Sequence, residues 1–574
     1  MKPVSVRRWL PRGVDPSADV VEALMRELGI RRLPARLLAA RGLAGTTAAD
    51  FLSGRLADLP DPLLLPDMAT AAARLAAAII AGEPIAVHGD YDVDGISGTA
   101  LLVQGLRDCG AQVDYHLPLR LKDGYGLSAA ALRAAAAAGV KVVVSVDCGV
   151  SAHDEAELAA VLGLALIVTD HHQPPERLPR ALAVVNPQRA DSAFPYRDLA
   201  GVGVAFFLLA AVRRTLRERD WFATRREPDL RTVLDLVALG TIADLVPLQG
   251  VNRTLTGTGL KLLDSGSRPG IQALKEVAGV RQVNCGTVGF QLAPRLNAAG
   301  RLEDAARGVE LLLETDRARA LETARLLDGF NRERQQIEQA TFAEAAAMAA
   351  QLPDEHTHAL VLASEDWHPG VIGIVASRLV ERFYRPTLLI ALDGEGGRGS
   401  GRSIRGLHLY RALQECAEHL QAFGGHEMAA GLSLARDRVS GFARAFEASA
   451  RAALSVDELI PVLSFDSVEL LAALDHQEVA ALEGLAPFGM GNPEPVVLVE
   501  RVRARQLQPL GQGHLRFIAG QGGDTLPAIA FGMAARLEEF QGDLDLLVSP
   551  QINRYNGRET VQLRVRDVRR SAGS

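Results

Sequence analysis

From about residue 70 to residue 250, short apolar runs alternate with helix-forming stretches, and this alternation restricts the fold more than any other feature. Helices are predicted over 68–81, 99–109 and 128–138, and strands over 85–87, 112–116, 141–146, 165–169 and 182–185. Two parallel strands need a long crossover between them, which a helix supplies. Strands covered by helices on both faces read as unbroken apolar runs, as the stretch before Ser145 does. The pattern predicts an α/β fold on a doubly wound parallel sheet.

In such a sheet the carboxyl ends of the strands open on one crevice. Acidic and histidine clusters stand at those ends. His88, Asp90, Asp92 and Asp94 follow the first run, Asp147 follows the third, and Asp170-His171-His172 follow the fourth. Asp244 closes a further apolar run, Leu239-Gly-Thr-Ile-Ala-Asp244. Carboxylates and imidazoles ligate hard or borderline divalent ions, and so many like charges at one rim call for cations. Two ions about 3.5–4 Å apart can stabilise both the attacking and the leaving oxygen of a phosphoryl displacement. Each piece alone has a plainer reading. Asp147 alone would be a helix cap, and His88 alone a hydrogen-bonded core histidine. The residues after Asp94 lack the later ligands of a calcium-binding EF-hand loop. The joint occurrence points to a metal site.

The 574 residues suffice for several domains, and at 48% apolar they can bury sizeable cores. A net charge of −7 excludes a uniformly basic coat, so any nucleic-acid contact must be local. The four cysteines, Cys109, Cys148, Cys285 and Cys416, form no CxxC pair and suit reduced thiols in a cytosol. The first residues lack the apolar core of a signal peptide, and the run from Ala71 to Ile80 is broken by Arg74. A soluble, cytoplasmic protein without membrane contact is expected.

Residues 1–60 read as an N-terminal helical cap on the next domain, and 61–304 as the sheet domain. Residues 305–352 read as a helical connector of one or two long helices. Residues 353–456 return to mixed α/β and hold a glycine-dense loop at 393–402. Its match to GxGxxG lacks the strand–turn–helix context of a dinucleotide site. Residues 457–574 carry the short strands and turns of a small β-barrel. Within the barrel Arg501, Arg503 and Arg505 alternate, which puts them on one strand face, and Arg564 and Arg566 repeat the pattern. Phe517, Phe531 and Tyr555 are the aromatics available there for base stacking.

His88-x₃-Asp92-x-Asp94, Asp147, Asp170-His171-His172 and Asp244 match, in order, the four signature motifs of the DHH phosphoesterases. The stretches Gly89–Gly95, Arg120–Gly126, Leu199–Val204, Arg295–Arg301, Trp367–Gly373 and Pro487–Pro495 resemble the single-strand exonucleases of that family in particular. Gly89 and Ile96 depart from the pattern in minor ways. The resemblance spans about 50–570. It implies a DHH catalytic domain, a DHH-associated (DHHA1) substrate-binding domain and a C-terminal OB-fold.

The resemblance further implies that Asp92, Asp94, Asp147, His171 and Asp244 hold two ions, Mn²⁺ or Mg²⁺. His88 and Asp90 join as ligands or as supports of ligands. His172 completes the catalytic set by orienting a ligand or touching the scissile phosphate, and Asp170 orients the histidines. Ser403, Arg405, Gly424, Gly425 and His426 have the chemistry of a 5′-phosphate cradle, and in the family they face the metal site across a cleft. One or both of Arg295 and Arg301, flanking a turn between the two domains, are assigned to DNA phosphates, with Arg120, Arg378 and His368 as weaker candidates; any of these arginines could equally be a surface ion pair. The implied activity is degradation of single-stranded DNA from 5′ to 3′ into mononucleotides by a monomer acting in repair and recombination. A single-strand-binding protein and a recombination helicase are the implied partners. Two alternatives are a phosphodiesterase of short oligonucleotides or cyclic dinucleotides, and a strand-binding protein without catalysis.

Overall fold

The computed structural model describes residues 1, 6–119, 126–353, 357–511 and 513–571. The chain divides into two compact units: residues 1–10 with 328–463, and residues 11–327 with 464–574. Among the described residues no single helix is long and apolar enough to cross a membrane.

The larger unit holds the predicted parallel sheet. Its strands are β1 (Ile85–Gly89), β2 (Val113–His116), β3 (Val142–Val146), β4 (Ala165–Thr169) and β5 (Ala183–Val185). They lie in the order β2-β1-β3-β4-β5, all parallel. The order reverses between β1 and β3, and a doubly wound sheet opens its crevice there. Every residue of β3 is buried, as a central strand covered on both faces requires. The helices that matter for the site are α1 (Val93–Asp108), α2 (Gly201–Glu218), α3 (Leu234–Ala243) and α4 (Gly250–Ser265).

The helix after β1 begins at Val93, six residues before the onset predicted at 99. Gly95 and Gly98 look like helix breakers but are points of close approach. A Cβ on Gly95 would lie 2.5 Å from the Asp90 carbonyl oxygen, and one on Gly98 2.5 Å from Val146 Cγ1. The apolar run before Asp244 is likewise a helix, α3, and not a strand.

The same unit contains the barrel: β6 (Val497–Leu510), β7 (His514–Gln521), β8 (Asp524–Ala530), β9 (Leu544–Tyr555) and β10 (Arg558–Arg570). The order β6-β7-β8-β10-β9 closes through a β6–β9 pairing, with β8 and β10 parallel. This five-stranded closed barrel is an OB-fold. The N-terminal helices Ala18–Leu28, Arg32–Ala40 and Gly45–Ser53 bury their apolar faces on this barrel, and the last of them also meets the sheet domain through Phe51 and Arg253. Val21, Leu24, Leu33, Leu37 and Leu38 share one core with Val497, Val499, Leu515 and Leu546. Phe517 is in that core, 3% exposed, and so is unavailable for stacking. Phe531 and Tyr555 are exposed.

In the smaller unit a five-stranded sheet runs Ala422–Gly425, Ala429–Ala435, Gly396–Arg402, Thr387–Asp393, Leu360–Ser364. The glycine-dense segment is therefore mostly a strand inside this sheet. Gly397, Gly399 and Gly401 leave room for cross-strand neighbours: a Cβ on them would fall 2.8 Å from Ile390, 2.7 Å from Leu432 and 2.5 Å from Leu388. Side chains from both neighbouring strands thus cover the glycine row. Arg317–Ala350 forms one continuous helix of 34 residues.

Candidate metal centre

Asp92 caps α1, its Oδ1 accepting the N–H groups of Asp94 at 2.9 Å and Gly95 at 3.1 Å. Asp94 sits in the first turn of that helix and turns into the crevice. There its two oxygens accept the N–H groups of Gly201 at 2.6 Å and Val202 at 2.9 Å, the open N-terminus of α2. Asp147 follows β3 with φ +62°, a left-handed turn that directs its carboxylate to the same point. Glycine is required opposite both carboxylates. A Cβ on Gly201 would fall 2.8 Å from Asp147 Oδ1, and one on Gly240 2.7 Å from Asp94 Oδ1.

His171 presents Nε2 to three carboxylates, 3.1 Å from Asp147 Oδ1, 3.6 Å from Asp244 Oδ2 and 3.9 Å from Asp94 Oδ2. This nitrogen is buried and makes no hydrogen bond. The ring's hydrogen bond goes to the Leu199 backbone, which leaves the Nε2 lone pair for a ligand. Three ligand groups overlap: Asp147, His171 and His172; Asp94, His171 and Asp244; Asp90, Asp92 and Asp147, each with ligand atoms within 4.8 Å of one another. An orphaned imidazole nitrogen among carboxylate oxygens suits divalent ions that take mixed oxygen and nitrogen ligands. Asp244 reaches this cluster from the end of α3, and α3 packs against α1.

His88 is in none of these groups. Its Nε2 donates to the Gly126 carbonyl at 3.1 Å, and its ring lies 5.1 Å from that of His116. Asp170 is buried and accepts from the N–H groups of Val150, His171 and His172 and from His172 Nδ1 at 2.7 Å, so it fixes both histidines. Asn186, which the sequence did not single out, is fully buried and donates to the His172 carbonyl at 2.8 Å. Its one sequence signal is an amide directly after β5.

Burial, and then Asp92, push the Asp94 carboxyl up to about 7. Burial, and then Asp94 and Asp92, push Asp244 up to about 9 and hold Asp147 well above the usual range. Burial brings His171 down to about 4, so it stays neutral and able to ligate. Burial would also lower His172, but the bond to Asp170 overrides it and raises the ring to about 9, a cation at neutral pH. Bound cations would relieve a buried cluster of carboxyls that resists ionisation.

The expected substrate residues fall as follows. Arg120 lies outside the described residues. Arg295 and Arg301 belong to one helix, Ala293–Leu302, and do not flank a turn. Ser403 and the 424–428 stretch come together through the Ser403 N–H to the Met428 carbonyl at 2.9 Å. The Ser403 hydroxyl is buried and donates to the Leu407 carbonyl at 2.8 Å, so it is already engaged. Gly424 and Gly425 end a strand, and Arg405 and His426 are exposed. Arg378 pairs with Glu338 at 3.1 Å and lies over Phe342, and His368 Nδ1 accepts from the Gly370 N–H. In the barrel Arg501, Arg503 and Arg505 line one cavity of about 230 Å³ with residues 520–525. Arg564 and Arg566 both face Glu494.

Models of known families match the chain in three places: the DHH family N-terminal domain over residues 84–241, the DHHA1 domain over 356–452 and the RecJ OB domain over 466–567. A protein of Dickeya dadantii named single-stranded-DNA-specific exonuclease RecJ is 41% identical over 581 residues, covering 98% of this chain and 99% of its own. Its namesake in Bacillus subtilis is 38% identical over 561 residues, covering 96% of this chain and 70% of its own. The crystal structure of RecJ from Thermus thermophilus in complex with Mn²⁺ superposes with a TM-score of 0.84 at 31% identity, over 99% of this chain and 80% of that one. The structure of the same protein with Mg²⁺ gives 0.78 at 29% identity, over 99% and 79%. Domain order, metal-site geometry and identity along nearly the whole chain agree: the chain belongs to the RecJ family of DHH phosphoesterases.

Proposed function

We propose that the chain is a single-strand-specific exodeoxyribonuclease that releases mononucleotides from the 5′ end. The observation that carries this reading is the convergence of Asp90, Asp92, Asp94, Asp147, His171, His172 and Asp244 on one crevice. It occurs in a chain whose relatives are named single-stranded-DNA-specific exonucleases. These residues would hold two divalent ions, Mn²⁺ or Mg²⁺, the ions held by the Thermus thermophilus structures. When bound, such ions lower the charge cost at the attacking and leaving oxygens of phosphodiester hydrolysis.

The chain's own groups do the rest. Asp170 keeps His172 cationic beside Asp147, where it can pair with a phosphate oxygen. Arg295 and Arg301 would hold phosphates of the strand, and Arg405 and His426 the 5′ phosphate, so the strand is gripped by its backbone and not by base reading. The closed barrel with its arginine-lined cavity favours a long strand over a cyclic dinucleotide or short oligonucleotide. The complete ligand set favours catalysis over strand binding alone. The four free cysteines support a reducing, cytoplasmic setting. The same reading makes the protein a monomer in DNA repair and recombination, beside a single-strand-binding protein and a recombination helicase.

Single strands labelled at the 5′ or the 3′ end, incubated with Mn²⁺, test the proposal. Immediate release of the 5′ label as a mononucleotide is expected, while the 3′ label persists on shortening strands. Early loss of the 3′ label refutes the polarity, and faster turnover of a dinucleotide than of a long strand favours the phosphodiesterase.

A further inference from the structure

Phe290 is 86% exposed, against 70% for Tyr555 and 47% for Phe531. The sequence explains why its turn stands out. Pro294, four residues on, has no N–H for the Phe290 carbonyl, and its ring crowds that carbonyl. The chain answers with a π-helical turn over Val288–Leu292, closed by the Ala293 N–H to the Val288 carbonyl. Such turns inside helices are frequent at functional sites. The α-helix that follows, Ala293–Leu302, carries Arg295 and Arg301. Arg295 folds back on the π turn, its guanidinium donating to the carbonyl of Gln291, the neighbour of Phe290.

The far end of that helix is seated on the metal centre. A Cβ on Gly300 would lie 2.6 Å from the carbonyl oxygen of Tyr91, the residue between Asp90 and Asp92. Ten residues separate Phe290 from Gly300, which at 1.5 Å per residue is roughly 15 Å. That is about four nucleotides at the 3.4 Å spacing of a stacked strand. An aromatic face in water, a guanidinium on the same turn and a fixed distance to the metal ligands together form a platform for one base and its phosphate.

We infer that Phe290 is a base-stacking subsite for the single strand a few nucleotides from the reacting phosphate, with Arg295 beside it for a backbone phosphate; this rests on the nuclease reading above. Stacking on an aromatic ring is indifferent to base identity, which suits an enzyme that must accept every sequence.

The test compares the full-length parent with Phe290→Ala, Phe290→Leu and Phe290→Trp on a long 5′-phosphorylated strand and on strands with one abasic position walked inward from the 5′ end. Phe290→Ala and Phe290→Leu are expected to raise KM on the order of tenfold, with a smaller change in kcat, and Phe290→Trp to restore it. In the parent, one abasic position within the first few nucleotides should raise KM by a similar factor. In Phe290→Ala that position-specific loss should vanish, a result that a merely structural role would not give. The ring is exposed, so melting temperatures should match across the set. A parent-like KM in Phe290→Ala, as for a ring that serves a protein partner, overturns the inference, as does an abasic profile unchanged by the substitution. Failure of the parent to degrade the strand at all would instead sink the nuclease reading.

Discussion

Asp94 and Gly201 meet at 2.6 Å, a carboxylate oxygen accepting the first free N–H of a helix that begins 107 residues later. The contact places this candidate metal ligand on the positive end of α2, where a negative charge is favoured. It also brings Gly201 so close to Asp147 that a Cβ would lie 2.7 Å from the Asp147 Cβ. Gly201→Ala is therefore expected to displace two ligands at once. Apparent Mn²⁺ affinity should fall on the order of 10- to 100-fold, and overpacking should cost about 1–3 kcal/mol of stability. A metal titration of activity with a thermal melt checks both. Parent-like Mn²⁺ affinity would mean that α2 does not set the ligand geometry.

Asp147 and His171 each enter two of the three candidate ligand groups, and Asp147 is the one that also joins the Asp90–Asp92 group, so its loss should hurt chemistry severely. Asp147→Ala is expected to lower hydrolysis of single-stranded DNA by on the order of 10³-fold or more, with binding held within a few-fold because the arginines are untouched. Electrophoretic binding and end-label release, measured on one preparation, separate the two quantities. Retained hydrolysis would remove Asp147 from the catalytic centre.

The raised carboxyls give stability without metal a definite dependence on pH. Asp94 near 7 and Asp244 near 9 hold protons more tightly when folded than in the unfolded chain, where such carboxyls titrate near about 3.9. Their contribution is present at low pH and is lost as pH rises through about 7 and about 9. His172, raised to about 9, has the same sign. His171, lowered to about 4, has the opposite sign: its contribution grows as pH rises from about 4 to about 6.5 and is constant above that. The net fall should therefore be clearest from about pH 6.5 to about 9. In chelator the melting temperature is expected to drop across that window. Mn²⁺ should flatten the slope and stabilise more at the upper end of the window than at the lower, because ligands must be deprotonated to bind. A chelated protein whose melting temperature rises across the window would contradict the electrostatics of the cluster.

The barrel arginines divide by their partners. Arg501 and Arg505 line the cavity with Arg503, whose Nε is 2.6 Å from Asp543, whereas Arg566 is engaged by Glu494. Replacing Arg501 and Arg505 together by Ala should weaken strand binding and lower the slope of log affinity against log salt by about 0.7 for each phosphate no longer neutralised. Arg566→Ala should leave that slope unchanged. Salt titrations of binding decide it, and equal slopes for the parent and the double variant would take the cavity out of the strand's path.

The candidate ligands after β1, β3 and β4 are legible in the sequence because a parallel sheet fixes where strand ends converge, whatever the details of packing. Asp244 is legible only through motif order, since it leaves a helix and periodicity places no such end. Gly95 and Gly98 mislead because their role is close approach to Asp90 and Val146, and local sequence does not record which segments meet. The strand Gly396–Arg402 reads as a loop for the same reason: its missing volume is supplied by Leu388, Ile390 and Leu432 from neighbouring strands. Leu33, Leu37 and Leu38 announce an apolar face, but their cover lies more than 400 residues away in the barrel.

Arg253 is a second case of hidden contact, and it ties three segments together. From the first turn of α4 its guanidinium donates to the carbonyls of Phe51 at 2.8 Å and Leu485 at 2.9 Å, and it stacks 3.8 Å over the Phe51 ring. The adjoining Leu248 N–H bonds the Met490 carbonyl at 2.7 Å, so the chain just after the candidate ligand Asp244 is fastened to the segment that leads into the barrel. Arg253→Met keeps the volume but leaves buried carbonyls unsatisfied, at a cost of about 3 kcal/mol. Hydrogen exchange should quicken at 484–492 and 245–249 together. Activity on a long strand should fall more than activity on a dinucleotide, because the barrel is loosened while the metal ligands remain. Exchange confined to the substituted helix would show that the barrel does not brace the Asp244 segment.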